Sequence, residues 1–398
     1  MAVKEFNQKL TSYLIPITLI LGPFRLFGSF YNVGLLILLV YAVFSIAFMG
    51  NSIRLPKSLF IFILSYLGMY FLNNIRNAGE SLNILNFIIG SVLSLFYLSS
   101  LIGGFNYSKF YKVYKCICLI VSSVLIVQAL GLFIFDIPAV PINILPVAEV
   151  DYNYWDFFKG ERPSGFFSEP QAFCSFVIPF LIFSLYRKEF LSSGLVLFAI
   201  LLSTSTLGLA IAAIVILHYL SVGKKMSTTT KLGVLLGVGG VVAILISYGL
   251  LDYSIQKLMA TPLENNIRMV RGFYIYSKFS TMDLLFGISY DLEAYVLKNI
   301  HEAWVSLYIE AGLKNYLGYT TSMSGLLIQF GIIPLALYLV FLKDCFKSGS
   351  EEIKTLVIIT FVLGFVQTIV FNTWFIFYIA IILGSNYEKG QMKFISFK

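Results

Sequence analysis

The chain has 398 residues, 58% of them hydrophobic, 17% aromatic and 12% charged, with a mean hydropathy of +0.86. A soluble domain carries about 25% charged residues, so this composition excludes a water-soluble globular protein. The net charge of +8 is spread between apolar runs with no basic block, which argues against nucleic acid as a partner.

Apolar runs of roughly 15 to 25 residues match the length a helix needs to cross a hydrocarbon core of about 30 Å. They predict an all-α polytopic membrane protein, one integral membrane domain over 1–398 with about 12 transmembrane helices. These lie near 11–24, 30–49, 57–72, 82–103, 114–135, 166–186, 191–205, 207–222, 231–251, 322–342, 354–371 and 373–386. A transmembrane β-barrel would show short alternating segments instead. Lys4 and Lys9 precede a first run containing Pro16 and Pro23, with no small-residue cleavage pattern after it, and this run reads as a retained span. The four cysteines lie in or beside apolar segments, so neither a disulfide framework nor a metal site is expected of them.

Short connections on one side hold Arg54 and Lys57, Lys109, Lys112 and Lys115, Arg187 and Lys188, Lys224, Lys225 and Lys231, and Lys343, Lys347 and Lys354. The C-terminus adds Lys389, Lys393 and Lys398 to the same side, whereas the opposite short connections hold Arg25 and Arg76. The positive-inside rule therefore predicts that both termini are cytoplasmic. Two long connections fall on the extracytoplasmic side, 136–165 and 252–320, and both contain stretches that read as amphipathic helices. Loops of that length are where function concentrates.

The first loop closes with Arg162-Pro163-Ser164-Gly165-Phe166-Phe167-Ser168-Glu169-Pro170. A carboxylate at the start of an apolar span is costly unless functional or paired, and Arg162 is its natural partner. The simpler reading is a helix start capped by Ser168 with Glu169 in the first turn. Upstream, Tyr152, Tyr154 and Trp155 cluster with Asp151 and Asp156. They suit either stacking on sugars or an interfacial aromatic belt.

In the second loop, residues 262–276 predict a helix on which Arg268 and Arg271 share a face, with Ile275 between them and Lys278, which would return to it were the helix to continue. Such a face suits either a clamp for phosphate or diphosphate, for which Arg is well shaped, or anionic lipid headgroups. His301 lies in an amphipathic stretch with Glu302 and Trp304; histidine titrates nearest neutrality and suits a general base, though a surface histidine with no role fits the same pattern. His218, the other histidine, reads as an interfacial residue. Two histidines on opposite sides leave no His-based metal site, so no metal is expected, and no P-loop or dinucleotide fingerprint points to a cofactor.

With these residues in place, the chain resembles the Wzy family of O-antigen and capsular polysaccharide polymerases, relatives of the O-antigen ligases. Arg162 to Pro170 resembles that family's Arg, Gly and Glu-Pro signature, and Leu202-Ser203-Thr204-Ser205-Thr206-Leu207-Gly208 its hydroxyl-rich turn. Arg271 followed by Leu285-Phe286-Gly287-Ile288-Ser289 resembles its Arg then Leu-x-Gly-x-Gly segment, with Ser289 in place of the second Gly. The ligases' His followed eleven positions later by Gly has two counterparts, His301 to Gly312 and Thr320 to Gly331. The first departs at Glu302, where the family prefers a small polar or amide residue, and the second lacks the His.

The resemblance implies a metal-independent glycosyltransferase of the bacterial inner or plasma membrane, joining undecaprenyl-diphosphate-linked oligosaccharide repeats at the outer face. Under it, Arg162, Arg268, Arg271 and Lys278 bind diphosphate, His301 or Glu169 handles the acceptor hydroxyl, and Arg271 takes part in catalysis. It implies membrane lipid, a flippase and a chain-length regulator as partners, and no soluble cofactor. An O-antigen ligase and a lipid-linked oligosaccharide flippase or other transporter are the alternatives; the second would be expected to show repeated halves and midplane ionisable groups, and neither is visible.

Overall fold

Apolar runs with few helix breakers fold as helices throughout the computed structural model, which describes residues 2–25, 32–49, 53–76, 84–140, 142, 144–145, 149–150, 162–222, 239–240, 243, 247, 270–288, 292–310, 312 and 317–397. The described chain is mostly helical, with two short antiparallel ladders beside the helices. Among the described residues one helix, Tyr107–Phe135, is long and apolar enough to cross a membrane, and six shorter helices are apolar. The span expected at 231–251 lies largely outside the described residues. Backbone packing groups the chain into two compact units.

The first unit takes in 1–50, 104–260 and 349–359. Its helices are α1 (Ala2–Ile20), α2 (Val33–Met49), α5 (Tyr107–Phe135), α6 (Pro170–Tyr186), α7 (Phe190–Leu202) and α8 (Thr206–Val222). Helix α5 is about 44 Å long at 1.5 Å per residue. Asn106 caps it by accepting the Lys109 amide at 2.9 Å, and Asp136 ends it in the left-handed conformation at φ 53°. Helix α6 is buried along nearly its whole length. Glycine permits the α1 and α2 crossing: a Cβ at Gly34 would sit 2.2 Å from the Thr18 carbonyl oxygen. Strands β1 (Phe24–Arg25) and β3 (Glu149–Val150) pair with Arg25 opposite Glu149. At the α6–α7 turn Arg187 lies over the rings of Tyr107 and Tyr111, and Lys115 pairs with Glu189 at 2.6 Å.

The second unit takes in 51–103, 261–348 and 360–398. It contains α3 (Lys57–Arg76), most of α4 (Ile84–Gly104), four short helices α9 (Arg271–Ser277), α10 (Thr281–Phe286), α11 (Leu292–Asn299) and α12 (Ala303–Glu310), and the longer α13 (Ser322–Phe330), α14 (Ile332–Ser348) and α16 (Thr373–Glu388); α15 (Glu351–Val366) begins in the first unit. Aromatic rings fill its middle: Phe62 stacks on Phe371 at 5.7 Å, and Tyr66 packs on Phe330 at 4.2 Å. Strand β2 (Ile53–Pro56) pairs with β4 (Phe394–Phe397) in antiparallel register, Pro56 opposite Phe394.

One expectation is corrected here. The run at 322–342 is not a single helix but two, α13 and α14, broken at Gly331. That residue has φ 76° and ψ −169°, a region open to glycine alone, and a Cβ on it would lie 2.0 Å from the Leu285 carbonyl oxygen. Gly287 answers it from the other chain segment: φ is 75°, and its Cβ would meet the Gln329 and Phe330 backbone at 2.4 Å. The Ile288 amide donates to the Ile328 carbonyl at 2.8 Å across this contact. Asn73 reaches the same junction through the Phe286 carbonyl, and Arg76 pairs with Asp283 at 2.7 Å. Gly331→Ala is therefore expected to lower stability by at least about 2 kcal/mol, read as a fall in the melting temperature of the detergent-solubilised protein. An unchanged melting temperature would show that the backbone contact at Gly331 is not a constraint.

Candidate functional site

The residues singled out from sequence fall into both units, Arg162 and Glu169 in the first, Arg271, Lys278 and His301 in the second. Tyr152, Tyr154, Trp155 and Arg268 lie outside the described residues.

In the first unit Arg162 reaches the hydroxyl-rich turn between α7 and α8. Its Nε donates to Thr204 Oγ1 at 3.1 Å and a terminal nitrogen donates to the Thr204 carbonyl at 2.7 Å. Thr204 holds φ 52°, unusual for a β-branched residue. The turn is secured from within: Ser203 Oγ donates to the Ile200 carbonyl at 2.7 Å, and the Gly208 amide donates to Ser205 Oγ at 3.2 Å. Close approach of α6 and α8 needs Gly208, where a Cβ would lie 2.3 Å from Cys174 Sγ. The start of α6 differs from the simple capping expectation. Ser168 is not the cap; Glu169 is, with extended backbone at φ −149° and no side-chain cap bond, because Pro170 takes the first helical position.

In the second unit Arg271 opens α9 and is 3% exposed. Its helix is pressed onto α13 at Gly272, where a Cβ would lie 2.2 Å from Ser324 Oγ. Ile275, one turn on, is buried in a satellite core with Phe279, Leu292, Val296, Val305 and Ile328, so the face shared by positions 271 and 275 points inward. The Arg271 guanidinium lies over Trp304 at 4.8 Å and Tyr308 at 4.2 Å. These two rings stand four residues apart on α12 and meet edge to face at 6.2 Å. A desolvated guanidinium on aromatic faces gains about 2 kcal/mol. Even so, Nη1 is buried with no hydrogen-bond partner among the described residues, and no carboxylate there pairs with it.

Lys278 does not extend this face. The helix stops at Ser277, Lys278 is its C-cap, and the ammonium lies 3.1 Å from Glu302. Glu302 is the hub that the sequence reading missed. Its carboxylate accepts the Tyr274 hydroxyl, 2.7 and 2.6 Å from its two oxygens, and the Trp304 indole N–H at 2.9 Å. His301 lies between α11 and α12, is exposed, and makes no hydrogen bond among the described residues. The two Gly spacings are also unequal in space: no described residue lies close to a Cβ built on Gly312, whereas Gly331 is in the backbone contact described above. His218 takes a structural place, its Nδ1 2.9 Å from Thr355 Oγ1. Among the described residues no group of three or more His, Cys, Asp and Glu is placed to hold a metal ion.

The chain matches no model of a known protein family and no curated protein. Its chemistry rests on the residues themselves.

The hub has a defined pH window. The hydrogen bond from Tyr274, then those from Lys278 and Trp304, hold the Glu302 carboxyl below its usual range. The bonds to Glu302 and Tyr274 hold Lys278 above the usual lysine range. The carboxylate contribution is therefore complete above the ordinary carboxylate range and is lost as pH falls through the lowered value. The lysine contribution is complete below the ordinary lysine range and is lost as pH rises through the raised one. With Trp155 and Trp374 replaced by Phe, leaving Trp304 of the three tryptophans, emission should hold a plateau between those limits and change on its acid side. Glu302→Gln should abolish that acid transition; a transition of unchanged midpoint would show that Trp304 does not report on Glu302.

Proposed function

We propose that this chain is a membrane glycosyltransferase that joins undecaprenyl-diphosphate-linked oligosaccharide repeats into O-antigen, capsule or exopolysaccharide. It crosses the bacterial inner or plasma membrane about twelve times, with both termini cytoplasmic and the segments 136–165 and 252–320 at the outer face. The observation that carries the reading is Arg271: a buried guanidinium held over two aromatic rings, with Nη1 unpartnered among the described residues. A buried cation lacking a counter-ion is costly, and an anionic ligand removes the cost. Diphosphate is such a ligand, and Arg presents parallel donors matched to its oxygens.

In this mechanism a hydroxyl oxygen of one lipid-linked repeat attacks the anomeric carbon at the diphosphate end of the growing chain. The bond from that carbon to the diphosphate oxygen breaks, and its electron pair leaves on undecaprenyl diphosphate. Arg271 stabilises the negative charge developing there, a contribution strengthened by exclusion from water. Under the resemblance Arg268 is a further diphosphate contact, whereas Lys278 is engaged by Glu302 and Arg162 by Thr204. The hydroxyl proton passes to Glu169 or His301. Of these, Glu169 caps the start of α6 beside Pro170, and His301 is exposed. Tyr152, Tyr154 and Trp155 would stack on the glycan. No metal or soluble cofactor enters, because the leaving group is already activated. A flippase supplying the repeat and a chain-length regulator are the expected partners.

The deciding experiment is reconstitution of the purified protein in liposomes with its lipid-linked repeat and EDTA, followed by gel analysis of the glycan. The expected result is a ladder differing by one repeat. Arg271→Ala should reduce ladder formation about 100-fold, with normal membrane abundance, and Arg271→Lys should restore it in part. Arg162→Ala should also abolish the ladder by releasing Thr204. Transfer of one finished glycan to a lipid acceptor would identify a ligase instead, and movement of the intact lipid-linked unit with no glycan growth would identify a transporter.

A further inference from the structure

A second charged feature of the chain lies away from Arg271 and is unused by the mechanism above. The antiparallel ladder of β2 and β4 sets Pro56 opposite Phe394, so Lys57, which follows β2, and Lys393, which precedes β4, leave the ladder at the same end. Beside them ends α14, with Asp344, Lys347 and Ser348 in its last turns. Together with Ser58, Gln391 and Met392 these residues line an open cleft of about 400 Å³. Three lysines and a single carboxylate, Asp344, line it. Among the described residues none of the three lysines is in an ion pair, and Ser58 Oγ is buried without a hydrogen-bond partner. The first turn of the 20-residue helix α3 begins at Lys57, and the partial positive charge of its free amides adds to the field.

Three chain segments remote in sequence thus converge on a concave surface with an excess of positive charge. Lysines that merely decorate a solvated face need neither the concavity nor a ladder register that draws two of them together. We propose that this cleft is a binding site for a phosphate group, distinct from the proposed catalytic site. The positive-inside pattern assigns all three lysines to the cytoplasmic side, where the phosphates at hand are those of anionic lipid headgroups and of soluble phosphates. Basic pockets between helices at that surface bind headgroups, each lysine contributing about a fivefold gain in affinity.

The test uses the full-length protein in a neutral detergent, titrated with short-chain phosphatidylglycerol, with phosphatidylcholine of the same chain length, and with inorganic phosphate, and read by native mass spectrometry. Saturable binding of phosphatidylglycerol over phosphatidylcholine is expected. It should weaken by about 100-fold in Lys57→Gln/Lys347→Gln/Lys393→Gln and be unchanged in Lys343→Gln, which lies on α14 but does not line the cleft. Asp344→Asn removes the sole carboxylate of the cleft and should tighten binding, a gain that a misfolded variant cannot produce. Phosphatidylglycerol binding without competition from inorganic phosphate would assign the site to a lipid headgroup; competition at equal concentration would assign it to a free phosphate. No saturable binding of either phosphate probe, or equal affinity in wild type and the triple variant, would overturn the proposal.

Discussion

The approach of two backbones at Gly287 and Gly331 is the constraint on which the second unit depends. Each glycine occupies a conformation closed to other residues, and a side chain on either would collide with main-chain atoms rather than with a movable group. Because the contact is main chain on main chain, it sets the height at which residues 281–288 sit on the end of α13. The adjoining helix α9 is then pressed onto α13 at Gly272, and the satellite core of Ile275, Val296 and Ile328 closes around it. Arg271 is buried as a consequence of that packing. Its environment is created by apolar contacts and glycine spacing before any electrostatic partner is considered.

Two kinds of polar organisation follow within a few residues of each other. Glu302 is exposed enough to be hydrated, yet three donors converge on it from Tyr274, Lys278 and Trp304. Ion pairs in such a position contribute little to stability, so its effect is to orient: the Trp304 indole is tied by its N–H to Glu302 while its face supports Arg271. Arg271 is the opposite case, well packed on its faces and short of acceptors at Nη1 among the described residues. A site that fixes the cation by stacking and leaves Nη1 unmatched among the described residues holds that cation without a counter-ion there.

How much of this was legible follows from how local each signal is. Helices α2, α3, α5, α6 and α8 coincide with apolar runs because a continuous run has few other ways to satisfy its backbone. The break at Gly331 was invisible, since one glycine in an apolar stretch reads as a tolerated helix residue until a second segment is placed against it. Arg162 and Arg271 stood out through their composition. Their partners did not: Thr204 is 42 positions from Arg162, and Tyr308 is likewise remote in sequence from Arg271. Lys278 would share the Arg271 face only in a helix that continued past Ser277, and the helix ends there. Glu302, in sequence a polar member of the amphipathic stretch and a departure from the resembling motif, is the residue that gathers its neighbours.

The distribution of Arg and Lys adds a physical distinction between the two proposed anion sites. Guanidinium is weakly hydrated, planar and able to stack, so it can be carried into the interior beside Trp304 and Tyr308; ammonium is strongly hydrated and holds its water. Lys57, Lys347 and Lys393 accordingly stay exposed around an open cleft. Charges in contact with solvent are screened beyond a Debye length of about 10 Å at 0.1 M salt, and buried ones much less. The two environments therefore suit different tasks. The buried arginine can act on charge that develops at one position during a reaction, where a fixed dry cation is most effective. The lysine cleft can hold an anion reversibly at a hydrated surface, with a strength that follows ionic conditions. One fold carries both because packing forces, not charge, decide which cation is dry.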